Sequence, residues 1–442
     1  VAQKKQPGIG LLTCLSLVTA TMVGTGVYTS LGFQLVDLHS GFSILVLWFL
    51  GGLIALCGAL SYAELAVAIP RSGGEYTYLS EIYHPAVGFM AAFISVIAGF
   101  AAPIALSAIA FGSYLQAAFP MFPARAASIL AVVLISLGHL RSLRLSELVQ
   151  NGMTGLKFLL IALFLAIGFR NAALHPASLS IFLPTAHSLP ELLSPPAGIA
   201  LIFVLYAYSG WNAASYLAGE VRDRQRTVGR SLVIGTVIVT LLYVSLNAIF
   251  LTAAPENELR CVLNVGSVAA SCLLGPIGGR IMSGMIGLGL LASISAMIWA
   301  GPRVTQCVGE DYRVFAILGR LSKEGIPVRA TLVQLFLVLI LISTGSFESI
   351  LLYAQVPLLL CLVLGVAGVC VLRKRQGSLE HQVDATGFRC PMFPLPPLLF
   401  IFCTLGALLY SALKQPWITL AGLATMILPL LVHPWIASRE KD

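Results

Sequence analysis

Lys157 stands in NGMTGLKF, residues 151–158, at the head of a run that is apolar through residue 169. A lysine at the centre of a membrane-crossing helix costs roughly 2.5–3.5 kcal/mol on insertion scales. It must therefore face protein and find carbonyls or hydroxyls, or else reach back to the interface on its four-carbon stem. A second oddity is TATMVGTGVYTS, residues 19–30, where Gly24 and Gly26 fall two apart inside another long apolar segment. Glycine is among the poorest helix formers, so the helix is weakest there. A third is LIFVLYAYSGWNAASYLAGEV, residues 201–221, with Ser209 and Gly210 mid-segment among Tyr206, Tyr208, Trp211 and Asn212. A helix broken at such points exposes unpaired N–H groups at the start of its second half and carbonyls at the end of its first, with partial charges to match. Paired ends of this kind suit a zwitterion, with its carboxylate on the amides near Thr25, Gly26 and Val27 and its ammonium on carbonyls near Thr21, Met22 and Tyr206. A single Gly-x-Gly, taken alone, reads more readily as close helix packing. Recurrence at corresponding places in two halves favours the ligand site.

The elements that must carry these residues are membrane helices. Of 442 residues, 58% are hydrophobic and 10% charged, and the apolar runs are hydrophobic on every face and close to the ~20 residues that a ~30 Å hydrocarbon core demands. Regular alternation of polar and apolar residues is missing, which excludes a membrane barrel. The hydropathy predicts an all-α polytopic membrane protein of about twelve spans. They lie near residues 9–36, 43–69, 87–119, 125–140, 145–169, 197–219, 230–253, 277–306, 330–345, 348–372, 393–412 and 416–437. If spans one to five and six to ten are repeats, an odd number of crossings inverts the second, and the two broken spans meet near mid-membrane. Residues 1–372 then form an inverted-repeat core, and 373–442 add two helices and a short tail.

The net charge of +8 follows from loop composition. With a cytoplasmic N-terminus, every Lys and Arg lies inside except Arg125, Arg170, Arg260, Arg280, Lys414 and the mid-span Lys157, as the positive-inside rule expects. No nucleic-acid partner is needed. Glu64, Arg71, Glu75, Glu220 and Arg303 crowd the cytoplasmic ends of spans two, six and eight, either paired as an inner gate or standing as solvated loop charges. The first span lacks the short core and small-residue site of a cleaved leader and is expected to remain in the protein. Cys261 and Cys272 share an outside loop, and spacing does not decide whether they join. No CxxC, HExxH, GxSxG or phosphate-loop pattern points to a metal, a cofactor or an enzyme.

GTGVY in span one, ALSYAELAVAIPRSGGEYTYL at 59–79, YAYSGWNAASYLAGEV at 206–221, GPRVTQCVGED at 301–311 and GIPVRATLVQ at 325–334 resemble the amino acid–polyamine–organocation superfamily, nearest its L-type amino acid transporter branch. The resemblance covers spans one to ten. It implies the five-plus-five inverted repeat of the leucine transporter, discontinuous helices 1 and 6, and alternating access for amino acids at the plasma membrane or bacterial inner membrane. It puts Gly24, Thr25 and Gly26 at the substrate carboxylate, with threonine where serine is commoner. Met22 and Tyr206 fall where side chains line the pocket, Tyr206 replacing a frequent phenylalanine, and Ser209 replaces a frequent glycine. It also implies that the Lys157 ammonium occupies the place of a sodium ion in sodium-coupled relatives, near carbonyls around Gly24 and the hydroxyl of Ser293 or Ser295, so that sodium is not required. The cysteine that links eukaryotic members to a glycoprotein subunit has no counterpart in FPMFPAR, residues 119–125, so no disulfide-linked partner is expected.

No buried acid stands near the breaks to balance a cationic side chain, which favours a neutral amino acid. Exchange and proton-linked transport both remain open, because burial and carbonyl contacts act on the Lys157 proton in opposite directions. A second reading keeps the fold and site in a sensor that does not transport.

Overall fold

The computed structural model describes residues 10–69, 71, 73–140, 143–175, 180–221, 223–322, 325–378 and 388–438, without side chains for 143–154, 217–220, 224–225 and 376–378. Among the described residues nine helical segments are long and apolar enough to cross a membrane, and three shorter apolar helices accompany them. The chain is a polytopic helical membrane protein. Large apolar side chains such as Leu159, Phe336 and Phe402 are exposed on the outside of the bundle, where lipid has no use for polar groups.

The helices are α1 (Leu11–Met22), α2 (Gly26–Gln34), α3 (Gly41–Ala68), a connecting α4 (Glu75–Ile82), α5 (Pro85–Ala118), α6 (Ala124–His139) and α7 (Leu143–Leu174). They continue with α8 (Pro195–Tyr208), α9 (Arg224–Ala253), α10 (Val265–Asp311), α11 (Val328–Thr344), α12 (Phe347–Ser378), α13 (Leu395–Lys414) and α14 (Pro416–Ser438). The first predicted span is thus two helices, parted at residues 23–25, and the sixth is α8 followed, after a break, by a 3-10 helix at Ala213–Glu220. In span eight, α10 begins well before the expected residue 277, because its first turns fold back at Gly275, whose φ of 77° only glycine adopts readily.

The two breaks differ in kind. Helix α1 ends as Val23 turns to φ −73°, ψ 78°, and neither Gly24 nor Gly26 takes the left-handed backbone. After α8, Ser209 extends to ψ 148° and Gly210 turns left-handed at φ 97°, so only the second break uses glycine for its conformational freedom. A third irregularity lies in α5: Pro103 has no N–H for the carbonyl of Gly99, and the stretch before it, Ser95–Ala101, is wound as a π turn.

Packing pairs each of the first four spans with the span five places on. The two most extensive helix contacts are α3 with α9 and α10 with α5, while α2 lies along α8 and α1 along the 3-10 helix. At the end of the bundle where α2 finishes, Phe33 stacks on Phe203 at 5.2 Å and on Phe347 at 5.8 Å. Gln34 accepts from Trp48 Nε1 at 3.0 Å and donates to the carbonyl of Ala200 at 3.2 Å. That end is closed.

Candidate functional site

The breaks touch. A methyl group on Gly26 would strike Cα and Cβ of Ala207 in the last turn of α8, and one on Gly210 would come within 2.9 Å of Thr21 Cγ2. Small residues are required at these two crossings because backbone passes against backbone. Between the crossings the Tyr243 hydroxyl, on a fully buried side chain of α9, lies 2.6 Å from the carbonyl of Met22 and 3.0 Å from that of Ala207, donating its one proton to the pair. One phenol thereby serves the end carbonyls of both first half-helices. Nothing in the sequence singled Tyr243 out, since it is one of 13 tyrosines and sits in an unbroken span. Tyr243→Phe leaves both carbonyls short of a donor, at a cost of about 1–3 kcal/mol. We expect roughly tenfold slower substrate uptake with unchanged membrane insertion, measured on purified protein in liposomes.

Lys157 lies beside the first break with 3% of its surface exposed. Its ammonium donates to the carbonyls of Ala20 at 3.2 Å and Val23 at 2.5 Å and to the hydroxyl of Ser293 on α10 at 3.0 Å. The side chain turns inward rather than to an interface. Its stem runs against Gly289, where a Cβ would sit 3.3 Å from it. Ser293 also reaches the Val23 carbonyl at 3.3 Å, so the amine ties α1 and α10 together through the carbonyls that the break sets free. Ser295 is outside this set. Two residues along the helix it points elsewhere, and its hydroxyl pairs with His139 Nε2 at 2.9 Å.

A cavity of about 250 Å³ lies on the other side of the breaks. Thr21, Ser209 and Gly210 form its inner wall, Phe100 in the π turn closes one flank, and Trp299 and Arg303 on α10 line its descent toward the end of the bundle where α1 begins. The Arg303 guanidinium lies 4.6 Å over the Trp299 ring. Of the residues expected to surround a ligand, only Thr21 and Ser209 line this cavity. Met22, Thr25, Gly26, Val27 and Tyr206 are buried behind it and Gly24 is half-buried. The cause is local: the Thr25 and Tyr206 hydroxyls bond to each other at 2.8 Å, Gly26 is pressed on Ala207, and the Met22 carbonyl already accepts from Tyr243 and from the Gly24 amide at 2.7 Å. The Tyr206 carbonyl accepts from Ser209 N at 3.0 Å.

The charged residues at the cavity's outer end do not pair as a group. Arg71 meets Asp311 with both contacts at 2.9 Å, and Asp311 also accepts from the Tyr76 hydroxyl. Burial, and then the hydrogen bond to Asp311, hold that phenol well above its ordinary range, so it keeps its proton throughout the physiological range. Glu64 takes two 2.7 Å bonds from Arg373 on α12 and one from the Cys390 amide. Glu75 accepts from Asn212 at 2.5 Å and from Tyr216. Arg303 is on Trp299, and the side chain of Glu220 lies outside the described residues. Each described acid thus faces its own partner rather than a common centre, and Glu64, Arg71 and Arg303 are not brought together. Among the described residues no cluster of metal-ligating side chains occurs, and Cys261 and Cys272 are free thiols.

A membrane bundle with two helices broken against each other, above a cavity reaching one end only, has the build of a solute transporter. The chain belongs to the amino acid permease family, which it matches over residues 9–431. It is 28% identical to the serine/threonine exchanger SteT of Bacillus subtilis (strain 168), with 91% of each chain covered. It is 27% identical to large neutral amino acids transporter small subunit 2 of Mus musculus, over 98% of this chain and 81% of that one. The b(0,+)-type amino acid transporter 1 of Mus musculus is 25% identical over 93% and 84%. The chain therefore sits in the amino acid–polyamine–organocation superfamily on its L-type-like branch, among transporters and not enzymes.

Proposed function

We propose that this protein carries neutral L-amino acids across the plasma membrane, or the inner membrane of a bacterium, by alternating access, exchanging one amino acid for another without sodium. The observation that carries the reading is the meeting of the two broken helices at the inner wall of the cavity, in a chain of the amino acid permease family. Thr21, Ser209 and the amides that open α2 at Thr25, Gly26 and Val27 receive the zwitterion, with Met22, Gly24 and Tyr206 around it. Lys157 with Ser293 supplies a fixed cation where a coupling ion would otherwise sit. The name exchanger borne by the Bacillus subtilis relative favours obligatory exchange.

Several further observations support the reading. Pairing of each of the first four spans with the span five later is what an inverted repeat of residues 1–372 would give, with twelve spans in all and α13 and α14 added to the core. Basic loops put both termini in the cytoplasm. In that orientation the aromatic stack at Phe33 seals the outside while the cavity faces inward. No acid is among the cavity-lining residues, which disfavours a cationic substrate. No disulfide-linked subunit is required. Proteoliposomes loaded with unlabelled neutral amino acids should take up labelled ones, whereas empty vesicles should not. Replacing sodium with choline or imposing a pH gradient should change the rate by less than about twofold. Binding without uptake under every condition would indicate a sensor, and uptake driven by a pH gradient into empty vesicles would indicate proton coupling.

A further inference from the structure

Gln355, on α12, is 1% exposed, and its side-chain Oε1 has no hydrogen-bond partner. A buried amide oxygen left unpaired costs about 1–3 kcal/mol, and native proteins hold few of them. The residue lines a second cavity of about 10 Å³, walled by Tyr208, Ser209, Trp211, Leu358 and Phe400. Ser209, Leu358 and Leu362 also line the large cavity, so the small one opens from the substrate side of the second break. Leu358 and Leu362 follow Gln355 at three and seven residues, on one face of α12, which turns the amide toward the same space. The Tyr208 hydroxyl of the same wall is spent elsewhere, since it donates to the Trp48 carbonyl at 2.9 Å. The space suits about one water-sized group.

Resting on the amino acid transport reading above, we infer that Gln355 is a specificity-determining residue and that the small cavity is a side-chain subsite for a compact hydrogen-bonding group, a hydroxyl above all. A hydroxyl entering past Ser209 supplies the missing partner. An apolar isostere fills the same volume and leaves the amide unpaired, and sites of this kind discriminate strongly because the penalty falls on the protein as well as on the ligand. Phe400 places part of this wall on α13, outside the ten core spans, so the added helices also shape selection.

The test is titration of the purified full-length protein with L-threonine, L-valine, L-serine and L-alanine, followed by thermal shift. Threonine should bind at least about tenfold more tightly than valine, and serine more tightly than alanine. In Gln355→Met, which conserves volume, the threonine-to-valine ratio should fall to within about twofold while valine affinity stays within about threefold. If that variant does not elute as a single species, Gln355→Asn, whose amide is withdrawn by one methylene, should lower the ratio at least threefold on the same scale. A ratio unchanged in a folded variant that still binds amino acids overturns the subsite and leaves Gln355 the partner of an ordered water only. Failure of every neutral amino acid to bind the wild type would remove the transport reading itself, and the subsite with it.

Discussion

Lys157→Met should slow amino acid uptake at least about 100-fold while the protein still inserts and purifies. Methionine keeps the length and apolar body of the lysine stem, so packing against Gly289 survives. What is lost is the ammonium. Its three acceptors are the carbonyls of Ala20 and Val23 and the Ser293 hydroxyl, all in a buried setting. Charge-assisted hydrogen bonds are worth about 1.5–3 kcal/mol each, so losing two of them outweighs the ~2.7 kcal/mol that corresponds to 100-fold. Because those carbonyls exist only where α1 stops, the loss falls on the geometry of the break rather than on the bundle as a whole. Lys157→Arg should not restore the rate, since a planar guanidinium does not fit a contact built without a side chain at residue 289. Uptake by Lys157→Met within about threefold of wild type would show that the amine is dispensable.

The second large effect concerns two glycines that look alike in sequence. Gly26→Ala puts a methyl group onto the backbone of Ala207, where the Cβ of the new residue would meet Cα, Cβ at 2.6 Å and N at 3.0 Å. Backbone cannot rotate aside as a side chain can, so α2 and α8 must separate. Overpacking costs typically about 1–3 kcal/mol, and here it displaces the two breaks from each other. We expect uptake to fall at least about tenfold and the midpoint of thermal unfolding to drop by several degrees. Gly24→Ala is the control. The nearest atom to its new methyl group would be the Met22 carbonyl oxygen at 3.8 Å, an ordinary contact, and its backbone is not left-handed. It should leave the midpoint of thermal unfolding close to that of the wild type. Equal effects at the two positions would contradict the close crossing at Gly26.

The contrast also marks what the sequence could carry. Hydropathy located the helices to within a few residues at most of their ends, the start of α10 apart, since a lipid-facing span must be apolar along its whole length. The interruption at residues 23–25 was legible because Gly24 and Gly26 weaken a helix where no water can replace its bonds. Lys157 was legible for a related reason: a buried cation needs acceptors, and a broken helix end is where a membrane bundle has carbonyls to spare. The direction of each side chain was not legible. Ser293 and Ser295 are two residues apart, and only the rotation of α10 decides that the first meets the amine and the second meets His139. Tyr243 escaped notice because its importance comes from what α9 crosses rather than from its own neighbours in sequence. The partners Arg373 and Asp311 of Glu64 and Arg71 lie 309 and 240 residues further along the chain. The hydrogen bond between Thr25 and Tyr206 joins residues 181 apart, and nothing local in the sequence marks it.

Under the alternating access proposed above, two conformations follow from where the seals lie. The Phe33 stack and the Thr25–Tyr206 hydrogen bond close one side of the breaks, while the cavity lies on the other. In that proposal, opening the closed side requires Thr25 and Tyr206 to part, and a bound carboxylate offers the Thr25 hydroxyl and the amides of α2 a replacement partner. Glu64–Arg373 and Arg71–Asp311 then stand as contacts at the other end of the same bundle, each joining an early part of the chain to a late one.

The most direct measurement is a cryo-electron microscopy map of the protein with the neutral amino acid that gives the largest thermal shift. If the broken helices form the binding site, density for the amino acid fills the space bounded by Thr21, Ser209 and Gly210, its carboxylate turned to the amides that begin α2 and the Lys157 ammonium still on Val23. Density elsewhere in the bundle, with that space empty, would show that the breaks serve packing alone.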